Sequence, residues 1–315
     1  MANYITVDGG TTNTRVSLVM DGKVCDTIKY NVGAKVGIDN ADCLKNAVKE
    51  GILKLLDKFG LTVFDIERVL AGGMITSEHG LCNVPHIEAP AGISELKRNV
   101  KEVVLPEICD VPFVFIPGVK VGCDNLDTAD MMRGEEAELV GMMKDGVSDC
   151  VYVMPGSHSK IVTVDAFGRI VDFKTMMTGE MIAALSGGTI LKSSVDLGCD
   201  TVDEEYLVKG FDSCRQNGIN NALFKVRVLN NMFGGTKLQV YSFFLGVILA
   251  EEIVEIEKQS VNAVVIGGRE QIKRATAILL KRCSQKNIIE VSAEDVDMAP
   301  SRGMVKIYEY EVKNG

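Results

Sequence analysis

Val7-Asp8-Gly9-Gly10-Thr11-Thr12-Asn13-Thr14-Arg15 closes a short apolar strand, Tyr4 to Asp8, with small and hydroxylated residues before the chain resumes as a strand from Arg15 to Met20. Asp21-Gly22 is a hairpin signal, and Lys23 to Tyr30 continues as a third strand. The second half opens the same way. Val153-Met154-Pro155-Gly156-Ser157-His158-Ser159-Lys160 leads through a strand-like Ile161-Val162-Thr163-Val164 to a turn at Gly168. Gly10 to Gly22 and Gly156 to Gly168 are both twelve residues apart, and each turn contains an Asp, Asp21 or Asp165. This spacing predicts an internal duplication of a strand–loop–strand–turn–strand unit. A chain of 315 residues has length for about two domains. The polar stretch Lys144 to Asp149 sets the expected boundary, giving domains 1–146 and 147–315.

Outward from these loops, strands alternate with amphipathic helices. Leu44, Val48, Ile52, Leu55, Leu56 and Phe59 recur at helical spacing over 42–59, with Gly60 as a stop. Arg68 to Ala71 reads as a buried strand running into Gly72-Gly73, and Pro112 to Pro117 as another. A helix is expected from about Arg133 to Lys144, then strands at Cys150–Met154 and Arg169–Lys174 and a helix opening at Thr178-Gly179-Glu180. The clearest late helix runs from Lys237 to Lys258. Val261 to Ile266 is a strand stopping at Gly267-Gly268, followed by a helix over 271–282, a strand at 288–291 and a terminal helix near Met304.

Composition narrows the function. Lys and Arg total 34 against 43 Asp and Glu, a formal charge of −9, which offers no electrostatic footprint for nucleic acid. No apolar stretch approaches the roughly 20 residues of a membrane span. The nine cysteines are scattered without a C-x-x-C pair, so reduced thiols in a cytoplasmic protein are expected.

Three glycine-rich loops follow three buried strands, and no G-x-G-x-x-G follows the first. This describes a duplicated actin-like (ribonuclease H-like, hexokinase/Hsp70-type) ATPase α/β fold better than a dehydrogenase. Backbone N–H groups of Gly9, Gly10, Thr11, Thr12 and Asn13 can converge on an anion, and Asp8 sits where a carboxylate holds a phosphate-bound Mg²⁺ through water. Gly156, Ser157, His158, Ser159 and Lys160 form the matching loop, so that two facing hairpins clamp a nucleotide triphosphate in an interdomain cleft. Gly267 and Gly268 allow adenine to approach the backbone. The run Met131 to Glu138 opens a helix with acidic residues. These either complement the helix dipole or supply a base for a substrate hydroxyl, while Arg133 has the geometry to clamp a carboxylate or phosphate. Ala71 to Gly80, with Met74, Thr76 and Ser77, suits substrate hydroxyls. Thr178 to Glu180 is a helix N-terminus suited to anions.

Taken in order, D-G-G-T-T-N-T-R (8–15), A-G-G-M-I-T-S (71–77), P-x-x-x-A-P-A (85–91), I-P-G (116–118), M-R-G-E-E (132–136), M-P-G-S-H-S-K (154–160) and M-T-G-E (177–180) resemble the 2-dehydro-3-deoxygalactonokinase family. The resemblance implies ATP- and Mg²⁺-dependent phosphorylation of a 2-keto-3-deoxy sugar acid at its terminal hydroxyl. It also implies Glu135 as the base with Glu136 as runner-up, and Arg133 near the substrate carboxylate. Arg15, Met74, Thr76, Ser77, Glu136, Thr178 and Glu180 complete the implied acceptor set. The sequence departs from the family at Gly9, where a Trp is usual, and at Leu81 and His86, in a segment that often carries Trp and Tyr. The alternatives are a same-fold kinase for another keto-sugar acid or hexose, and a non-catalytic ATP-dependent sugar sensor. The expected partners are the sugar acid, ATP and, as an open question, a second copy in a homodimer, with no nucleic acid or membrane.

Overall fold

The computed structural model describes residues 2–35, 41–144, 147–268 and 270–312. Of the expected boundary stretch 144–149, Asp145 and Gly146 lie outside the described residues. Packing divides the chain into two units. The first comprises Met1–Val147, Phe167–Asp172 and Glu294–Gly315, and the second Ser148–Ala166 and Phe173–Ala293.

The first unit contains β1 (Asn3–Gly9), β2 (Thr14–Met20), β3 (Lys23–Tyr30), α1 (Ala41–Phe59), β4 (Arg68–Gly73), β5 (Ile87–Glu88), α2 (Ile93–Arg98), β6 (Lys101–Leu105), β7 (Cys109–Phe115), β8 (Val119–Val121), β9 (Asp130–Met132) and α3 (Glu135–Met142). Its main sheet has the order β3-β2-β1-β4-β7-β6, and β5-β8-β9 form a small second sheet. The central strands β1 and β4 are apolar and buried on both faces, as parallel strands covered on each side must be. Strand β3, at the edge, alternates between exposed and half-buried residues. Leu44, Val48, Ile52, Leu55 and Leu56 of α1 pack with Ile5, Val7, Val16, Leu18 and Phe113 in one core.

The second unit contains β10 (Cys150–Met154), β11 (Ser159–Val164), β12 (Ile170–Met176), α4 (Thr178–Gly188), α5 (Glu204–Asn217), α6 (Ile219–Met232), α7 (Lys237–Glu257), β13 (Ala263–Ile266), α8 (Glu270–Cys283) and β14 (Asn287–Glu290). Its sheet runs β12-β11-β10-β13-β14, the same antiparallel-then-parallel order as β3-β2-β1-β4-β7. The first residues of β12 count with the first unit, where Ile170 and Ala91 exchange backbone hydrogen bonds of 2.9 Å. Helix α7 is held at its start by a capping box, with Thr236 N–H donating to Gln239 Oε1 at 2.9 Å and Gln239 N–H to Thr236 Oγ1 at 3.3 Å. It is buried along most of its length, and its largely apolar run 240–250 lies in the second unit's core.

The duplication extends to backbone conformation. Gly22 and Gly168 at the hairpin turns have φ of 72° and 73°. Gly73 and Gly268, after the parallel strands, have φ of 80° and 77°, and a side chain on either would strike a carbonyl oxygen, that of Gly9 or of Pro155. Each unit thus ends its two central strands in a close backbone junction that only glycine permits.

The last helix, α9 (Ala293–Glu309), belongs to the first unit. Its backbone lies directly on α3 where Gly303 meets the Ala137 carbonyl and Gly141 meets the Ala299 carbonyl. Ser301 Oγ is 2.7 Å from Thr6 Oγ1 on β1, and Met304 covers Gly72. Pro300 sits inside this helix, although a proline normally argues for a stop.

Candidate functional site

In the first unit, Asp8 and Gly9 pair with Gly72 and Gly73 at the ends of β1 and β4. The loop after β1 closes as a tight turn, with Gly10 N–H donating to the Asn13 carbonyl at 2.7 Å. Ala34 and Lys35 brace it by donating to the Gly10 and Thr11 carbonyls at 3.1 and 3.0 Å. Thr11 and Thr12 are exposed, and Asn13 Nδ2 donates to Thr12 Oγ1 at 2.9 Å. An added side-chain carbon at Gly9 would fall 2.6 Å from Ile75 Cβ, so Ile75 fills the space a larger residue 9 would need.

Beside this junction stands the start of α3. The expected helix from Arg133 begins instead at Glu135. Gly134, at φ 111° and packed on Gly73, turns the chain out of an extended segment. Glu136 is fully buried, and both its carboxylate oxygens accept from the Gly134 N–H at 2.9 Å, which fixes the turn. Burial, then the neighbouring Glu135, pushes its carboxyl up to about 8. Glu135 is half-buried, and its Oε2 accepts from Arg133 N–H at 3.0 Å.

Glu138, one turn further on, belongs to the acidic run 131–138 but carries no role of its own in the sequence. Burial, then the charges of Glu135 and Asp8, raises its carboxyl to about 8. Burial likewise raises Asp8 against the opposing pull of Arg15, whose Nη1 lies 3.5 Å from Asp8 Oδ2. Glu138 is therefore repelled by both Glu135 and Asp8, with Arg15 alongside. The spacing of Glu135 and Glu138 at i, i+3 on one helix face was the available signal.

The Arg133 guanidinium is engaged by the protein. Nη1 donates to the Thr76 carbonyl at 2.8 Å and to Thr76 Oγ1, while Nη2 donates to the Val84 carbonyl at 2.9 Å and meets His86 Nδ1 at 3.1 Å. Burial, then Arg133 and Lys120, lowers His86 to about 4, so its neutral ring accepts from Arg133. Arg133 thereby ties the segment 76–86 to the start of α3. Thr76 is buried with its hydroxyl also on the Gly73 carbonyl, Ser77 Oγ donates to the Met74 carbonyl at 2.7 Å, and Met74 is half-buried.

The second unit repeats the junction with different chemistry. Met154 and Pro155 occupy the places of Asp8 and Gly9, and Gly267 N–H donates to the Val153 carbonyl at 2.9 Å. The loop Gly156–Lys160 lies against the start of α4. Glu180 N–H donates to the Ser157 carbonyl at 3.1 Å, and Gly179 packs on the Gly156 carbonyl. His158 Nε2 lies 3.1 Å from Glu180 Oε1. Lys160 is buried, with Nζ donating to Thr175 Oγ1 at 2.6 Å. Gly268 brings the loop after β13 onto Pro155. The structure thus places Asp8–Arg15, Met74, Thr76, Ser77, Arg133, Glu135 and Glu136 in the first unit. Gly156–Lys160, Thr178, Glu180, Gly267 and Gly268 fall in the second.

Two α/β units of one strand order, each with a glycine-rich hairpin loop at a parallel-strand junction, define the actin-like ATPase fold. The chain belongs to the 2-keto-3-deoxy-galactonokinase family, whose model matches residues 8–307, and is therefore a kinase with ATP as its phosphoryl donor. It is 27% identical over 270 residues to the 2-dehydro-3-deoxygalactonokinase of Escherichia coli K12, covering 81% of this chain and 80% of that protein. The crystal structure of a candidate 2-dehydro-3-deoxygalactonokinase from Sinorhizobium meliloti superposes with a TM-score of 0.79 at 22% identity, covering 99% of this chain and 98% of the other. The activator of 2-hydroxyisocaproyl-CoA dehydratase from Clostridium difficile, solved with ADPNP, has the same fold at a TM-score of 0.51 and 13% identity, covering 98% of this chain and 95% of the other. Among the described residues no helix is long and apolar enough to cross a membrane.

Proposed function

We propose that the chain transfers the γ-phosphoryl group of ATP to the terminal hydroxyl of 2-dehydro-3-deoxy-D-galactonate, giving the 6-phosphate, in the cytoplasm and with Mg²⁺. The observation that carries this reading is the division of chemistry between the duplicated junctions. Carboxylates gather at the first, while the second has Met154 at the strand end in place of Asp8, followed by a loop bearing Ser157, His158 and Ser159 with Lys160 buried behind it.

In this reading Gly156–Lys160 and the start of α4 hold the phosphates, Gly267-Gly268 lies under adenine, and the first unit holds the acceptor. Glu135 takes the proton of the attacking hydroxyl. As that oxygen bonds to the γ-phosphorus, the bond to the β-phosphate oxygen breaks and ADP leaves. Glu136, with both oxygens committed to Gly134 N–H, holds the helix start so that Glu135 is aimed. Arg133 positions the Met74–Ser77 turn on the acceptor side through Thr76.

The first junction fits a hard divalent cation. Asp8 and Glu138 are carboxylates made costly by burial and mutual repulsion, the condition a cation relieves. No group of three or more His, Cys, Asp or Glu is placed to hold a metal among the described residues. That suits Mg²⁺, which takes one or two carboxylates and completes its shell with phosphate oxygens and water. When bound, it neutralises charge on the transferring phosphate.

The test is ADP release, read by a coupled assay, from Mg-ATP with a panel of 2-keto-3-deoxy sugar acids, plain aldoses and a no-acceptor control. Turnover led by the galactonate isomer is the expected result. Turnover led by another acid keeps the mechanism and reassigns the acceptor, and silence across the panel with ATP still bound refutes the kinase reading in favour of a sensor.

A further inference from the structure

Glu252 is a carboxylate set into α7, a helix buried along most of its length. It is 1% exposed and its neighbours Ala250 and Ile253 are buried with it. Thr178 Oγ1, on the first residue of α4, donates to Glu252 Oε2 at 2.6 Å. The Ser159 side chain lies beside the carboxylate and favours its charged form, while the buried Oε1 takes no hydrogen bond from the described residues. Ser159 Oγ in turn accepts from Gly156 N–H at 3.4 Å. One buried carboxylate thus lies behind both the loop 156–159 and the start of α4.

A carboxylate buried with one oxygen unpartnered is costly, and an apolar residue of similar volume would fill a core helix at lower cost. Oε2 accepts the Thr178 proton, so that hydroxyl points inward, toward the carboxylate. Phosphate oxygens are also acceptors, and a hydroxyl committed to Glu252 has no proton left for them.

We propose that Glu252 is a positioning residue for the nucleotide. It holds Thr178 inward, sets the spacing of the loop against α4, and leaves the outward backbone N–H groups, not this hydroxyl, to meet phosphate. The inference rests on the assignment of Gly156–Lys160 to the phosphates of ATP.

The experiment measures Mg-ATP binding calorimetrically without acceptor, together with both KM values and the melting temperature, on the full chain. Glu252→Ala is expected to raise the ATP Kd and the ATP KM about tenfold while the acceptor KM stays within about twofold. Glu252→Gln keeps an acceptor oxygen and is expected to recover ATP binding to within about threefold of the parent. Glu251→Gln, exposed on the same helix, is the unchanged control. Equal rises in both KM values, or a Gln variant no better than Ala, would mean a merely structural role and overturn the proposal. Gly156→Val separates this inference from the reading beneath it, because a Cβ there meets nothing closer than the His158 carbonyl at 3.8 Å. Parent-like ATP affinity in Gly156→Val removes the phosphate-loop assignment itself. Lost affinity there with an unaffected Glu252→Ala removes the Glu252 proposal alone. If Glu252→Ala fails to fold, Thr178→Val and Ser159→Ala are each expected to raise the ATP Kd about threefold, with less than additive effect together, and parent-like affinity in both overturns the proposal.

Discussion

Replacing Glu138 by Gln is expected to stabilise the first unit at alkaline pH while slowing the enzyme. Glu138 moves from 4.5 to about 8 because burial and the charges of Glu135 and Asp8 disfavour its ionised form. Its folded-state value lies above its unfolded one, so ionisation opposes folding. That penalty is small below the unfolded value, grows as pH rises through the interval and is complete above about 8. Fully expressed, a displacement of this size corresponds to about 4–5 kcal/mol. Water at the partly open side chain and sharing of the repulsion with Glu135 reduce it to on the order of 2 kcal/mol. The assay is thermal unfolding of parent and variant at pH 5, 7 and 8.5 in one ionic strength. The variant should melt about 4–8 °C higher at pH 8.5, with the advantage shrinking toward zero at pH 5. Glu136, also raised to about 8, remains in the variant and preserves part of the parent's own pH slope. An advantage that is absent at pH 8.5, or equally large at pH 5, would refute the claim that Glu138 is held as a strained carboxylate.

Asp8→Asn is expected to lower kcat by about a hundredfold or more and to shift the Mg²⁺ dependence of turnover to higher concentration; an unchanged Mg²⁺ titration would remove Asp8 from that role. Arg133→Ala leaves Thr76, Val84 and His86 without their shared donor. It should cost about 2–4 kcal/mol in denaturant unfolding and raise the sugar-acid KM more than the ATP KM, equal rises counting against a place on the acceptor side. Gly73→Ala meets both an unfavourable φ and the Gly9 carbonyl and should cost more than about 3 kcal/mol, whereas Gly22→Ala, with the same sign of φ but open space, should cost about 1 kcal/mol. Similar losses for the two would show that the junction is looser than its backbone contacts require.

The duplicated loops were legible because glycine spacing and hairpin turns are local, and the strands and long helices because hydrophobic periodicity is. What the sequence hid was held in contacts between distant residues. Strand β6, Lys101–Leu105, is short and mostly exposed, and it pairs with β7 across an irregular register in which Pro112 is accommodated. Glu138 becomes unusual only when folding brings Asp8 to it, and Glu252 only when Thr178, 74 residues away, supplies a proton. The latter had no outward sign, because Glu252 stands in an acidic stretch with Glu251, Glu255 and Glu257. The M-R-G-E-E motif stands at the start of α3, and its arginine spends Nη1 and Nη2 on the protein, which no spacing rule could convey.

Helix α9 closes against α3 and β1 of the first unit, yet its residues follow the whole of the second. During synthesis the second unit's sequence, 148–293, has therefore been made before the surface carrying Glu135 and Glu138 acquires its backing helix. The nascent first unit must wait with Gly72, Ala137 and Gly141 uncovered. The acidic junction is therefore backed only after the strands of both sheets have been made.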